Sequence, residues 1–456
     1  MADVTRILSH YAAETSYQDL PAEVVVRAKL LIIDFIGSIV RASKEADSTP
    51  SILAMVRKLG LGAAGDASVF GLQQRYSPAI AALLNGAFGH SLDFDDTHAS
   101  SSLHPSAPVV SAAFAAAQTT GSSGKALIAA IVTGYEVCCR LGNALDPTAH
   151  YARGFHPTAT AGVFGAAAAV GNLYGLDAKR VASAYGVAAS QAAGSLQFLV
   201  NGAWNKRYQV GAAAMNGVIA ATLAREGFVG AADAIEGKHG FLSGYSDGAV
   251  PQRGVDKLGE TYETMMIGVK PYPSCRYTHA AIDGILSLRS AQGIAPADII
   301  SIDIGLHRNG ITLTGEPLEA KRRPRSVVDG QFSMPFTAAV AMKKGQFGWD
   351  DYALLGTSEI DALASRVTVS RDESLEGRPH PFGANIRLRT SSGEFSAHVP
   401  DPRGEPENFP TEADFCSKFR LLAEPVLGTG VTDRLLNSLL HLDDIKDMSG
   451  LAVELA

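Results

Sequence analysis

The densest group of side chains that could do chemistry lies in the segment GHSLDFDDTHASSSLHP, residues 89–105. It contains three carboxylates, a threonine and three histidines: Asp93, Asp95, Asp96, Thr97, His90, His98 and His104. Carboxylates and imidazoles are the groups that most often exchange protons or bind metal ions near neutral pH. Such a segment is either a solvated acidic turn, the more frequent origin of a charge run, or a functional site.

Two sharper interpretations compete for this segment. Its DFDDT string matches the D-x-D-x-T pattern of magnesium-dependent phosphatases, in which the first aspartate is the nucleophile. That pattern follows a buried β-strand, whereas the preceding AIAALLNGAFGHSL is typical of a helix, which disfavours a phosphatase. A divalent-metal site formed by Asp93, Asp96 and His104 is the other interpretation, and no second ligand cluster at a recognisable spacing supports it.

Further candidate side chains occur farther along the chain. Each lies beside apolar helical sequence or where the sequence pattern changes from helical to β-like. They are His156 in GFHPT, Lys206 and Arg207 in NKRYQ, and Lys270, Arg276 and His279 in KPYPSCRYTH. The last group lies where helical periodicity gives way to β-like sequence, and pockets favour domain junctions. Together they could bring cations and imidazoles to one site.

Helical periodicity dominates from the N-terminus to about residue 265. Period-two alternation then appears in IISIDIGLH, SRVTVSR and ANIRLRTSSGEFSAHVP, the last reading as a hairpin across Ser391–Glu394. The sequence therefore predicts a mainly α fold in which a smaller α+β lid domain interrupts a large, discontinuous all-helical domain. The expected bounds are 1–268 and 406–456 for the helical domain and 269–405 for the lid.

The bulk properties exclude several classes of protein. A chain of 456 residues is long enough for two or three domains, and a net charge of −7 argues against nucleic acid as a partner. The apolar run LLIIDFIGSIV is about half the length of a membrane-spanning helix, and the N-terminus does not read as a secretion signal. Four cysteines give no disulfide framework, so we expect a cytoplasmic protein.

Read in order, five segments resemble one family, the MmgE/PrpD family of 2-methylcitrate dehydratase, cis-aconitate decarboxylase and iminodisuccinate epimerase. They are NGAFGHSLDFDDTHASSSLHPS, GFHPTATAGVFGAAAA, WNKRYQVGAAAMNGVIAATLA, KPYPSCRYTHAAIDG and DGQFSMPFTAAVA. The resemblance covers essentially the whole chain. It implies an all-α domain with an α+β lid, a site between the two domains, a homodimer, and no cofactor or metal ion.

The resemblance also implies which residues form the site. By position it assigns Asp93, Thr97, His104, His156, Lys206 and Lys270. One position departs from the decarboxylase pattern, since Cys275 stands where that pattern has an active-site histidine. This departure weakens cis-aconitate decarboxylation as the specific activity.

The residue types fit chemistry on a carbon next to a carboxylate. Lys206, Lys270 and Arg276 could neutralise substrate carboxylates, with Thr97 and Cys275 also lining the pocket. His104 and His156, with pKa values near neutrality, could transfer protons, and Asp93 could orient an imidazole.

These roles predict a lyase that eliminates water or CO2 from a small di- or tricarboxylate. An epimerase of an iminodicarboxylate such as iminodisuccinate is the alternative, and a catalytically silent binding module is a third hypothesis.

Overall fold

The computed structural model describes residues 3–377 and 380–455 and divides the chain into two compact units. Unit 1 comprises Met1–Gly268 and Thr411–Ala456, and unit 2 comprises Val269–Pro410. Unit 1 is therefore discontinuous in sequence, and unit 2 is inserted into it. The predicted mainly α fold class is confirmed, because helices account for most of the structure and the sheets are small.

The first stretch of unit 1 consists of α-helices, several of them rich in alanine and glycine. In chain order they are α1 (Val4–Glu14), α2 (Ala22–Glu45), α3 (Thr49–Lys58), α4 (Pro78–Gly89), α5 (Ser106–Thr120), α6 (Gly124–Leu145), α7 (Pro147–Ala152), α8 (Pro157–Thr160), α9 (Gly162–Leu173), α10 (Ala178–Ala189), α11 (Phe198–Asn201), α12 (Asn205–Arg225) and α13 (Phe241–Tyr245). Two-residue strands pair antiparallel, β1 (Ala67–Ser68) with β2 (Arg75–Tyr76) and β3 (Thr97–His98) with β4 (Ile267–Gly268). Helices α4, α5 and α9 are buried on nearly every side and form the centre of the unit.

Glycine allows helices α4 and α12 to pack unusually closely. A Cβ atom on Gly211 of α12 would lie 2.3 Å from the carbonyl oxygen of Leu83 and 2.8 Å from the amide nitrogen of Ala87. A Cβ atom on Gly86 would lie 2.9 Å from the Cα of Gly211. Real side chains do not tolerate such distances, so both positions require glycine. The contact fixes the end of α4 against the first turns of α12.

Unit 2 combines helices with a mixed four-stranded sheet. Its helices are α14 (His279–Gln292), α15 (Arg308–Gly310), α16 (Leu318–Arg322), α17 (Val327–Gln331), α18 (Met334–Lys344) and α19 (Ser358–Ala364), and its strands are β5 (Ile299–Leu306), β6 (Val367–Arg371), β7 (Ala384–Thr390) and β8 (Gly393–Val399). The strand order is β6-β5-β7-β8, with β5 and β6 parallel and the other neighbours antiparallel. Alternate residues of β7 are buried, including Ile386 and Leu388, which places one face of the sheet against the core that contains α14 and α18.

The hairpin between β7 and β8 is tighter than the sequence predicts. Strand β7 ends at Thr390 and β8 already begins at Gly393, so Glu394 lies inside a strand rather than in the turn. Thr390 and Gly393 are ladder partners, and the hydroxyl of Thr390 accepts a bond from the amide of Ser392 at 3.2 Å. This side-chain bond closes a two-residue loop that the alternation pattern did not resolve.

The chain returns to unit 1 through α20 (Glu412–Leu427) and α21 (Thr429–Leu440). Lys418 of α20 pairs with the buried Asp34 of α2 at 2.7 Å between Nζ and Oδ1. The same ammonium group donates to the carbonyl oxygen of Phe94 at 2.9 Å and lies 3.8 Å from the centre of the Phe94 ring. The return segment therefore holds the loop that follows α4.

The length and hydropathy of each helix decide whether it could span a membrane. No helix within residues 3–377 and 380–455 is long and apolar enough to cross a membrane.

Candidate active site

The segment 89–105 is a buried loop that connects α4 to α5, and interpreting it as a solvated turn is wrong. Asp95 and His98 have no exposed surface, and Asp96 is 1% exposed. Ionisable side chains are rarely buried without partners, so each of these groups must be paired inside the protein. The helix that precedes the loop, in place of a strand, also disfavours the phosphatase interpretation.

Asp93 and Lys206 form an ion pair at the edge of this loop. Asp93 Oδ1 accepts a bond from Lys206 Nζ at 2.8 Å, and the two side chains retain 12% and 24% of their surface. Asp93 has a φ of 53°, which is rare for a residue other than glycine. Lys206 lies in the first turn of α12, where the helix dipole disfavours a cation. The ion pair with Asp93 therefore holds the cation at an otherwise unfavourable position.

Three imidazoles lie side by side next to this pair. The ring of His90 stands 4.9 Å from the ring of His104 and 6.0 Å from that of His156, measured between centroids. His90 is fixed by a bond of 2.6 Å between its Nδ1 and Oδ2 of Asp95, and both side chains are buried. The two predicted proton-transfer residues, His104 from the loop and His156 from the chain before α8, therefore both lie next to His90.

Backbone and side-chain atoms of Asp96 fix His104 and the start of α5. The Nδ1 atom of His104 lies 2.6 Å from the carbonyl oxygen of Asp96 and 3.4 Å from the hydroxyl of Thr97. The carboxylate of Asp96 accepts bonds from the amide and the hydroxyl of Ser106, at 3.3 and 2.5 Å. Because the first amides of a helix lack internal partners, this carboxylate acts as a cap for α5.

His156 approaches from the chain that precedes α8. Its side chain is 3% exposed, and its Nδ1 lies 2.8 Å from Nε2 of Gln209 on α12. Two residues later, the hydroxyl of Thr158 accepts a bond of 3.1 Å from the backbone amide of His104. This bond ties the two histidine-bearing segments together, so their separation is set by the fold rather than by flexible side chains.

Burial and neighbouring charge shift several pKa values in this group. Burial, with His90 and Lys206 nearby, lowers the pKa of His156 well below that of a free histidine. Burial also lowers the pKa of His90, although Asp95 partly opposes it. For Lys206 burial alone lowers the pKa, but attraction to Asp93 and Asp95 outweighs it and the net pKa is raised.

Asp96 has a higher pKa than an exposed carboxylate. Burial, reinforced by the neighbouring Asp95, raises the pKa of Asp96 well above the usual value. Its bonds to Ser106 favour the ionised form and oppose this shift. The loop therefore holds a carboxyl group with a strong tendency to keep its proton.

The donor set fits a metal ion poorly. Nitrogen and oxygen atoms of His90, Asp95 and His104 lie within 4.8 Å of one another, close enough for a shared ion. However, His90 Nδ1 and Asp95 Oδ2 are only 2.6 Å apart and bonded to each other. The metal site considered from Asp93, Asp96 and His104 is also poorly supported, because Asp93 pairs with Lys206 and Asp96 with Ser106.

A second group of possible ligands occurs in unit 2. His380, Glu405 and Glu407 also offer ligand atoms within 4.8 Å of one another. His380 is bonded to Asp401 at 3.0 Å, and Glu405 accepts a bond from Arg276. These contacts account for His380 and Glu405 without an ion, and Glu407 is exposed.

Unit 2 carries the remaining predicted site residues, all of them buried. Lys270 is 3% exposed, and the backbone amide of Cys275 donates a hydrogen bond to the carbonyl oxygen of Gln331. The guanidinium group of Arg276 donates to Glu405 Oε1 at 2.6 Å and to the carbonyl oxygen of Val269 at 2.6 Å. These bonds give Arg276 a part in holding unit 2 together, and the substrate-binding roles of the three residues stay predictions.

Three residues of this group have little or no signal in the sequence: His90, Gln209 and Lys418. His90 lies in the same segment, but nothing in its spacing separates it from a structural histidine. Gln209 follows Lys206 by three positions, which places both on one face of α12, and that spacing was the available signal. Lys418 lies 324 positions after Phe94, so no local pattern connects it with the loop.

The arrangement in unit 1 suits proton transfer beside an anion. Lys206 offers a positive charge that is partly exposed, and the neighbouring imidazoles have fixed orientations. A cation that is held in place stabilises negative charge as it develops, and an imidazole can give or take a proton near neutral pH. Thr97 adds a hydroxyl group next to His104.

Comparison with known proteins gives consistent matches along the chain. The MmgE/PrpD N-terminal domain model matches residues 6–253, and the MmgE/PrpD C-terminal domain model matches residues 272–444. A cis-aconitate decarboxylase-like protein of Aspergillus oryzae is 29% identical over 98% of this chain and 96% of its own length. The cis-aconitate decarboxylase of Aspergillus terreus is 29% identical over 98% and 95%, and that of Homo sapiens is 24% identical over 94% and 90%.

Proposed function

The chain belongs to the MmgE/PrpD family, and we propose on that basis that it is a lyase of small di- or tricarboxylates that needs no cofactor. The observation that carries the proposal is the ion pair of Lys206 with Asp93, set beside the three imidazoles of His90, His104 and His156. The cis-aconitate decarboxylases among its relatives make a tricarboxylate the first substrate class to test.

The chemistry of such a substrate explains why a cation is required. Removing a proton or CO2 next to a carboxylate develops negative charge on carbon beside a group that is already anionic. Lys206 can neutralise that carboxylate, and Lys270 and Arg276 are proposed to bind further carboxylates of the substrate. A fixed donor or cation at such a position is typically worth about 10²–10³-fold in rate.

His104 is the proposed proton-transfer group, acting through Nε2. In a decarboxylation, the carbon–carbon bond breaks, CO2 leaves, and the electron pair left on carbon takes a proton from protonated Nε2, which solvent then recharges. In a dehydration, neutral Nε2 takes the carbon-bound proton as the carbon–oxygen bond breaks. The same proton then passes to the departing hydroxide, so that water leaves.

Cys275 bears on the choice between these two reactions. It occupies the position where the decarboxylase pattern has a histidine, and it is buried. A thiol at that position cannot supply an imidazole proton, so we propose that dehydration of a hydroxy acid competes with decarboxylation as the natural reaction. A Cys275→His variant that gains decarboxylation of cis-aconitate would support this assignment.

Proton NMR in D2O tests the proposed function directly. The protein is incubated with citrate, 2-methylcitrate, cis-aconitate and iminodisuccinate, with and without a chelator, beside the His104→Ala variant as control. We expect an unsaturated or decarboxylated product from at least one acid, unchanged by the chelator and absent with the variant. Deuterium incorporation without net product would instead identify an epimerase, and no reaction with any of the four would refute the lyase.

We also propose that the protein is a cytoplasmic homodimer. An exposed apolar group that includes Leu199, Val200 and Trp204, with 61%, 76% and 45% of their surface accessible, gives unit 1 a surface that a second copy could cover. Light scattering should then give a mass of about twice the 47.7 kDa of one chain. A single-chain mass at micromolar concentration would contradict the dimer.

A further inference from the structure

The Nδ1 atoms of His104 and His156 have opposite roles in their hydrogen bonds: one donates and the other accepts. Nδ1 of His104 faces a backbone carbonyl oxygen, that of Asp96, at 2.6 Å. A carbonyl oxygen can only accept, so Nδ1 of His104 must carry the hydrogen, and in the neutral ring the lone pair lies on Nε2. His104 therefore presents Nε2 as the atom that takes up and gives back a proton.

His156 has the reverse arrangement. Its Nδ1 faces the amide nitrogen of Gln209 at 2.8 Å, and an amide nitrogen can only donate. Nδ1 of His156 is therefore the acceptor, and the hydrogen of the neutral ring lies on Nε2. Among the residues that the structure describes, none forms a hydrogen bond with this Nε2. Its hydrogen is thus available to a bound molecule.

The surroundings of His156 also favour the neutral ring. The ring is 3% exposed, and the charged and titratable groups that act on it are His90, His104, Lys206 and Asp95. Burial is the largest influence, followed by His90, Lys206 and His104, and all four lower the pKa of His156. Asp95 opposes them, and Asp95 is already bonded to His90.

We propose that the two candidate histidines have separate, fixed roles: His104 exchanges the proton, whereas His156 stays neutral and donates a hydrogen bond from Nε2–H to an oxygen of the substrate. Gln209 is the positioning residue that selects this tautomer of His156. A neutral imidazole kept as a hydrogen-bond donor is an established catalytic device in other enzymes. The substrate part of the proposal rests on the proposed lyase function, but the tautomers do not.

The tautomers can be measured without turnover. In the intact protein with ¹⁵N-labelled histidine, two-bond proton–nitrogen NMR spectra distinguish the protonated ring nitrogen from the bare one. We expect Nδ1–H for His104 and Nε2–H for His156 at neutral pH, each assigned by loss of its signal in the His104→Gln or His156→Gln variant. A wild-type His156 that is doubly protonated, or protonated at Nδ1, would overturn the proposal.

Reversing the bond to Gln209 provides the second test. In Gln209→Glu, a carboxylate faces Nδ1 and can only accept, so His156 should change to the Nδ1–H tautomer or become charged. Tyr208→Glu places the same charge on the neighbouring, exposed position of α12 and should leave the spectrum of His156 unchanged. Gln209→Met removes the donor without adding charge, and should allow both tautomers. An unchanged His156 spectrum in Gln209→Glu would refute the role of Gln209.

Kinetics then separate a donor from a proton-transfer group. A glutamine amide can replace a hydrogen-bond donor but cannot exchange a proton with carbon. We expect His156→Gln to lose on the order of 10-fold in kcat, and His104→Gln to lose about 10²–10⁴-fold. Equal losses in the two variants would overturn the division of roles. If no acid is turned over while both tautomers are as expected, the lyase proposal fails and the tautomer assignment stands.

Discussion

At the scale of single residues, the position of Lys206 is unfavourable for folding and favourable for binding an anion. It lies in the first turn of α12, where the dipole of a 21-residue helix opposes a cation, and it is held there by Asp93. A side chain that stabilised only the fold would be better placed at the other end of the helix. The ammonium group retains part of its surface, which leaves it accessible to a carboxylate.

Replacing this cation should therefore affect activity far more than stability. We expect Lys206→Met to lower kcat/KM by about 10²–10³-fold, because a substrate carboxylate would no longer be neutralised. Arg207→Met is the matched control, since the neighbouring cation donates to Ser48 instead, and it should remain within a few-fold of the wild type. Steady-state kinetics and thermal unfolding measure both quantities. Similar losses in the two variants would show that net charge, not position, matters.

The lowered pKa of His156 predicts how stability depends on pH. As the pH falls through about 6.5, histidines of the unfolded chain take up protons while the buried His156 stays neutral. The unfolded state then binds more protons, so the contribution of His156 to the free energy of unfolding falls by up to about 1.4 kcal/mol per pH unit. His156→Gln should remove this part of the slope in urea titrations at several pH values. His239→Gln, at an exposed histidine, should leave the slope nearly unchanged.

At the scale of secondary-structure elements, the contact between α4 and α12 determines where the site residues lie. Gly86 and Gly211 let the two helices approach to a distance that excludes any side chain. Helix α4 leads directly into the loop that carries Asp93 and His104, and α12 begins just before Lys206 and Gln209. A small shift between these helices would therefore move Asp93 and His104 relative to Lys206 and Gln209.

Enlarging this contact should impair stability. We expect Gly211→Ala to lower the free energy of unfolding by about 1–3 kcal/mol, because the new Cβ would overlap backbone atoms of α4. Gly244→Ala is the control, since a Cβ there meets no atom within 4 Å and alanine is the better helix former. Chemical denaturation measures the difference. Equal stability of the two variants would mean that α4 and α12 separate without cost.

At this scale the sequence predicts much of what the structure contains. Periodicity indicates α2, α4, α12 and the strands of unit 2, because apolar residues recur at helical spacing in the helices and at alternate positions in the strands. The motifs and the family resemblance point to Asp93, Thr97, His104, His156 and Lys206. The exact turn between β7 and β8 was missed, since it depends on one hydroxyl–amide bond of Thr390.

At the scale of the whole molecule, the contacts of the return segment are what periodicity does not predict, although it does predict that residues 406–456 are helical. The ion pair between Asp34 and Lys418 joins α2 to α20, and Lys418 also holds the carbonyl oxygen of Phe94. Pairings across such sequence separations depend on how the helices pack. The same reason explains why the partnership of His156 with Gln209 did not emerge from the sequence.

Removing this lysine should destabilise the helical unit. Asp34 is 2% exposed, and Lys418→Met would leave its charge buried without compensation, at a cost of about 3–5 kcal/mol in the free energy of unfolding. Combining it with Asp34→Asn should recover part of the stability, because the uncompensated charge is gone. The double variant should still have a lowered kcat, since Phe94 lacks its donor. Full recovery of activity would show that Lys418 does not position the loop.

The return of the chain to unit 1 also sets an order of events during synthesis. A ribosome releases Asp34 and Phe94 long before Lys418, which follows Phe94 by 324 positions, and all of unit 2 emerges in between. Until then Asp34 has no counter-charge from Lys418, and the loop after α4 lacks the hydrogen bond to the carbonyl oxygen of Phe94. The contacts of Lys418 with Asp34 and Phe94 can therefore form only after α20 has been made, and a nascent chain stalled before it would carry the candidate site residues without this anchor for their loop.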